Sequence, residues 1–191
     1  MNKLQAFEKE LEHIHSPKIR EFAEKSLETL PDYFYHIGAS STGKYHPSYA
    51  LGEGGLVRHV RSAIRIAVEL FRMEMFKFTE EEKDLLIVAL MLHDGTKSGI
   101  VQQKFTVFEH PIIVADYIND NNDLHGIISE EQLETILNGV KRHMSQWNTS
   151  KQSEVVLPKP QSSFDKFVSL CDYLASRKCL EMNFEAPLTR D

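Results

Sequence analysis

Eight apolar residues in succession, Leu85-Leu86-Ile87-Val88-Ala89-Leu90-Met91-Leu92, run straight into His93-Asp94. An imidazole and a carboxylate at the end of such a run are costly to bury unless both find partners. Adjacent side chains on a helix point about 100° apart, so the pair can address one centre only from its edge, with other helices supplying the remaining ligands. The chain offers such residues. His59 lies in Leu56-Val57-Arg58-His59-Val60, His110 in Glu109-His110-Pro111-Ile112-Ile113-Val114, His143 ends an amphipathic stretch, and Asp172 sits in Leu170-Cys171-Asp172-Tyr173-Leu174.

Apolar residues recur at helical spacing through most of the chain, and alternating strand-like runs are short and scarce. This pattern predicts an all-α helical bundle with long functional loops. A first long helix is expected from Pro17 to Leu30, capped by Ser16 and stopped by Pro31. Residues 36–55 carry Gly38, Gly43, Pro47, Gly52, Gly54 and Gly55 and read as a shaped loop. The next helix runs from Leu56 to Phe71 with His59 on its core-facing side. Thr79 and Glu82 make a capping-box pattern for the helix that ends at His93-Asp94-Gly95. Thr106 reads as the cap of a fourth helix to about Asn119, and Ser129 as the cap of another with His143 on its last turn. Residues 144–161 form a loop able to cover a cleft, with a short extended piece at Glu154 to Leu157, and a final helix from about Ser162 carries Cys171 and Asp172.

A chain of 191 residues is long enough for one well-buried core. One domain is expected over residues 1–191, its core at about 50–180, with N-terminal helices of residues 1–35 packed on it. The net charge of -6, from 22 basic and 28 acidic residues, argues against a broad basic surface for duplex nucleic acid. Cys171 and Cys179 stand eight positions apart on what should be one helix, too far for a disulfide, and read as reduced thiols. The amino terminus lacks an apolar signal core, and no stretch approaches the roughly 20 apolar residues that cross a bilayer. A cytoplasmic protein without a membrane partner is expected, in which Asn148-Thr149-Ser150 matches a glycosylation acceptor by chance.

In order, His59, His93-Asp94, His110, His143 and Asp172 resemble the ligand series of the HD-domain metal-dependent phosphohydrolase superfamily, over roughly residues 50–180. Gly54-Gly55-Leu56-Val57-Arg58-His59 is similar to the family's approach to its first ligand helix, and Leu92-His93-Asp94-Gly95-Thr96-Lys97 keeps its lysine four residues after the histidine. Many members have glycine immediately before that lysine; this chain has Thr96. Glu109-His110-Pro111-Ile112-Ile113-Val114-Ala115 and Gly139-Val140-Lys141-Arg142-His143 resemble the third and fourth ligand segments of members with two metals. The resemblance implies that His59, His93, Asp94 and Asp172 hold one ion, with Asp94 bridging to a second held by His110 and His143. Mixed imidazole and carboxylate ligands suit divalent Fe, Mn, Co, Ni or Zn, and one or two such ions are expected. Two ions a few ångströms apart acidify water and clamp the attacking and leaving oxygens of a phosphoester.

Around this centre the expected catalytic residues are Asp94, which positions the ions, and Lys97, which neutralises substrate phosphate. Lys44 and His46, in the glycine-rich loop, are candidate substrate contacts. So are Arg61, beside His59, and Arg142 and Arg177, whose planar guanidinium groups suit phosphate. Trp147 and Tyr45 are candidates to stack on a nucleobase. The leading expectation is hydrolysis of a small phosphorylated substrate, a nucleotide. Alternatives are a nuclease acting on single-stranded RNA or DNA, disfavoured by the acidic balance, and a non-catalytic metal- or nucleotide-binding protein. The oligomeric state is left open.

Overall fold

Every residue from Asp84 to Leu92 is buried, and a helix that is apolar on all sides belongs where other helices surround it. The computed structural model describes residues 2–40, 43, 46–180 and 182–185. Among them the α-helices are α1 (Glu8–Leu11), α2 (Pro17–Thr29), α3 (Gly55–Leu70), α4 (Glu80–Leu92), α5 (His110–Asn119), α6 (Glu130–Lys141) and α7 (Ser163–Ala175), joined by loops and short 3₁₀ turns. The hub is α4, which packs against α2, α3, α6 and α7, while α3 lies along α7 and α5 along α6. Among the described residues β pairing is limited to an isolated antiparallel bridge between Ser150 and Ser153. The fold is therefore all-α, and none of the described helices is long and apolar enough to cross a membrane.

Three of the described α-helix starts carry side-chain caps. Thr79 with Glu82 and Ser129 with Gln132 close reciprocal capping boxes at α4 and α6, and Ser162 with Asp165 does the same at α7. Ser16 is different: it precedes α2 in extended conformation without a side-chain cap bond. Its backbone N–H instead donates to the buried carboxylate of Asp84, as does that of His15, so α2 is anchored to α4. At the other end of α2, the carbonyls left without helical partners accept from Tyr35 Oη at Leu27, Lys3 Nζ at Glu28 and Leu30, and Tyr117 Oη at Thr29.

Two expectations are corrected. The fourth helix begins at His110, not near Thr106, because residues 95–109 form turns: Gly99 takes φ +90° and Tyr33 Oη pins the segment, accepting from Ser98 N at 3.1 Å and donating to Gly99 O at 2.5 Å. The piece at residues 154–157 pairs into no sheet. Leu157 is instead held by Asn148, whose carbonyl accepts from Leu157 N at 2.9 Å and whose Nδ2 donates to Leu157 O at 3.1 Å. That buried amide is thus committed to the loop. Finally, α7 ends at Ala175, so Cys179 lies beyond the helix that carries Cys171; both are free thiols, Cys171 buried and Cys179 exposed.

The Gly54-Gly55 pair has two separate physical causes. Gly54 adopts φ +67°, which glycine tolerates without steric cost. Gly55 opens α3 against the preceding loop so closely that a Cβ would lie 2.3 Å from Ala50 O. We therefore expect Gly55→Ala to cost about 1–3 kcal/mol, the usual range for overpacking against backbone that must shift. A urea denaturation midpoint equal to that of the parent protein would contradict this packing.

Candidate metal centre

Four helices and one loop bring six distant side chains to one point. His59 comes from the second turn of α3, His93 and Asp94 from the end of α4, His110 from the start of α5, His143 from just past α6, and Asp172 from α7. All are buried except Asp172, whose side chain is 21% exposed. The two oxygens of Asp94 face different neighbours. Oδ2 lies 3.6 Å from His59 Nε2 and 3.5 Å from His93 Nε2, while Oδ1 lies 3.0 Å from His110 Nε2 and 3.9 Å from His143 Nε2. Asp172 Oδ1 approaches His59 Nε2 at 3.0 Å and His93 Nε2 at 3.5 Å. His143, expected on the last turn of its helix, follows it by two residues, because α6 stops at Lys141.

Backbone carbonyls fix the imidazoles. His93 Nδ1 donates to Leu90 O at 2.7 Å, His110 Nδ1 to Val107 O at 2.7 Å and His143 Nδ1 to Val140 O at 2.8 Å. A carbonyl only accepts, so each Nδ1 carries a proton, and in its neutral form each ring turns an Nε2 lone pair inward. His110 and His143 then point two lone pairs at each other across 3.3 Å. His93 Nε2 and Asp94 Oδ1 are buried without hydrogen-bond partners. A cation resolves all of these contacts together, because it accepts electron density from every one of these atoms. The atoms of His59, His93 and Asp172, and those of His93, Asp94 and His143, lie within 4.8 Å of one another in each set. Either set could therefore share an ion.

The electrostatics keep both carboxylates ionised and His143 neutral, whereas Asp94 and Asp172 overcome burial and raise His93. Burial alone would raise the carboxyl of Asp94, but the Lys97 ammonium, then His93 and His110, hold it well below the usual carboxylate range. For Asp172, the neighbouring His59 and His93 likewise outweigh burial and hold the carboxyl well below the usual range. Burial, reinforced by His93, pushes His143 down to about 3, so that ring stays neutral with its lone pair available.

A family model described as the HD domain matches residues 56–177, well over half of the chain. The protein belongs to the HD family. That superfamily consists of metal-dependent phosphohydrolases, and the donor set found here fits divalent metal. No curated protein and no solved structure matches the chain.

Asp94 of the HD pair lines a cavity of about 650 Å³ together with His110, His143 and Asp172, while His93 lies buried behind it. Among the candidate substrate contacts, His46 and Arg177 line it. The His46 ring meets His59 edge-on at 5.0 Å between centroids, and burial with the neighbouring His59 and Lys97 charges lowers it to about 3. Arg177 lies over Tyr173, 4.3 Å from the ring centroid. Lys97 also lines the cavity and donates to Asp94 Oδ2. Lys44 and Tyr45 fall outside the described residues.

Two arginines are corrected. Arg61 turns to Glu10, a fully buried carboxylate, at 3.0 Å, and stacks on Phe184. Arg142 donates to Asp165 at 2.8 Å. In each case a buried acid from a distant part of the chain claims the guanidinium, because an unpaired buried carboxylate is costlier than a solvated arginine. Arg58 is likewise spent on the carbonyls of Tyr49 and Leu51.

Several cavity residues escape the sequence reading. Ser40, Thr106, Met144 and Ser176 line the cavity, and nothing in their local patterns marks them. Tyr33, which pins the turn after the HD pair, carries no more signal than an aromatic in a short apolar stretch. Gly95 is closely packed: a Cβ there would meet Leu30 Cδ2 at 2.7 Å and Val114 Cγ2 at 3.0 Å. Thr96, in the place of the more usual glycine, is fully buried beside it.

Asp165 yields a pH test. Burial would raise its carboxyl, but the hydrogen bonds from Arg142, from the N–H groups of Gln161 and Ser162 and from the Ser162 hydroxyl lower it below its ordinary 3.8. A depressed folded-state value means that the stabilisation is present in full above that ordinary value and is lost as pH falls through the folded one. Asp165→Asn should therefore lower stability by about 1–3 kcal/mol near neutral pH, with the deficit shrinking in acid. Denaturant unfolding at both pH values checks this; an equal deficit at both would contradict the linkage.

Proposed function

We propose that this HD domain hydrolyses a phosphoester or phosphoanhydride of a nucleotide with water, at a centre of two divalent metal ions. The observation that carries the reading is the split environment of Asp94, one oxygen toward His59 and His93 and the other toward His110 and His143, on the floor of a cavity with cationic walls. In this reading His59, His93, Asp94 and Asp172 hold one ion, and Asp94, His110 and His143 the other. The donor mixture suits Mn, Fe, Co, Ni or Zn. Bound there, such ions supply Lewis acidity, which acidifies water and withdraws charge from phosphoryl oxygens.

The chain's own residues do the rest. The Nδ1 bonds to Leu90, Val107 and Val140 fix three imidazoles before any ligand arrives, so little reorganisation is needed during reaction. Asp94 and Asp172, held ionised, offset the charge of the ions. Lys97, which donates to Asp94 Oδ2, and Arg177 at the cavity wall are the cations that would hold the phosphoryl oxygens. Trp147 and Tyr173 stack at 5.5 Å between centroids with a 17° interplanar angle, and they remain 45% and 36% exposed in the same cavity. Exposed aromatic faces held in a fixed stack suit a nucleobase.

The test is elemental analysis of the purified protein, followed by phosphate release from a nucleotide panel with Mn, Fe, Co, Ni and Mg supplied separately. The expected result is transition metal near two equivalents and metal-dependent turnover, with Asp94→Ala losing both. Turnover retained by Asp94→Ala would contradict the mechanism. Full metal content without turnover of any phosphorylated compound would instead mark a binding protein.

A further inference from the structure

The main cavity does not end at Lys97. A smaller cleft of about 110 Å³ adjoins it, and Ser40, Lys97 and Thr106 line both. Trp147, Tyr173 and Arg177 belong only to the larger space, whereas Gln102, Gln103 and Lys104 belong only to the smaller one. Lys97, paired with Asp94, therefore stands at a junction. A phosphoryl group at the metal centre has an aromatic and guanidinium wall within the larger space and, past Lys97, two amides and an ammonium.

The second arm is a built feature of the fold. Its turn is fixed by Tyr33 at Ser98 and Gly99, by the N–H of Gln103 donating to Ser98 O at 2.8 Å, and by that of Val107 donating to Lys97 O at 2.9 Å. Gln102, Gln103 and Lys104 are exposed on it. Carboxamides offer both donors and acceptors and can pair with the edges of a base or with sugar hydroxyls. A nucleoside monophosphate has no group to place in this arm. A phosphorus atom esterified on two sides does.

Resting on the phosphohydrolase reading above, we propose that the substrate is a small phosphodiester of dinucleotide size, with one nucleoside against Trp147 and the other along Gln102, Gln103 and Lys104. Water forms the new oxygen–phosphorus bond, and the bond from phosphorus to the ester oxygen of the Gln102 side breaks, leaving its electron pair on that oxygen. The proton given up by water ends on the same oxygen. One diester and one water thus become a monoester and an alcohol.

Trp147 is the single tryptophan of the chain, so intrinsic fluorescence reports on one arm directly. The purified holoprotein is titrated in the cold with adenylyl-adenosine and with AMP, and both compounds, together with p-nitrophenyl phosphate and a decameric oligoadenylate, are then assayed for turnover. Quenching should saturate at a concentration at least tenfold lower for the dinucleotide, and kcat/KM should favour it at least tenfold over either monoester. Gln102→Ala/Gln103→Ala should narrow both ratios, mainly through Kd and KM. Equal or better use of monoesters, a preference for the decamer, or ratios untouched by the double variant would overturn the two-armed site while leaving phosphohydrolase activity in place. A holoprotein that turns over none of the four compounds would overturn the two-armed site too, and the hydrolase reading itself would then fall if no nucleotide anhydride released phosphate either.

Discussion

The Asp94 carboxylate cannot rest in the middle of an apolar bundle without positive charge beside it, and much of the local structure follows from that constraint. The Lys97 ammonium supplies part of that charge at Oδ2, while Oδ1 lies among imidazole nitrogens with no hydrogen bond of its own. Three backbone carbonyls hold the nearby rings with their lone pairs inward. Such a centre carries more electron pairs than protons. Its demand for cations is set by the fold around α4, not by flexible surface side chains.

That demand also explains why the helices meet as they do. The six donors come from five elements, which are anchored by apolar burial or by specific bonds outside the centre. Asp84 ties α4 to the start of α2, the Gly54-Gly55 turn lets α3 begin against Ala50, and the small side of Gly139 allows α6 to approach Phe164 and Val168 of α7. The donors are thereby positioned before an ion arrives. Preorganisation of this kind is what raises affinity and lowers the cost of reaction.

Much of this was legible in the sequence because the relevant signals are local. Helix periodicity and capping residues identify α3, α4, α6 and α7, and the apolar flanks of His59, His93, His110, His143 and Asp172 mark polar groups that need a reason to be buried. What was not legible depends on partners far along the chain. Glu10 captures Arg61 and Asp165 captures Arg142, and no spacing rule shows which arginine a distant acid will claim. The start of α5 was misplaced because Thr106 is an acceptable cap, whereas the tertiary bonds of Tyr33 keep the chain in turns as far as His110. The small residues lining the cavity have no pattern to betray them, since they are defined only by what they face.

The most direct measurement is anomalous diffraction from crystals grown with Mn(II). The account predicts two peaks, one within about 2.0–2.4 Å of donor atoms of His59, His93, Asp94 and Asp172, the other similarly close to Asp94, His110 and His143. A map in which manganese lies elsewhere, or is absent while those six side chains keep their present positions, would contradict it.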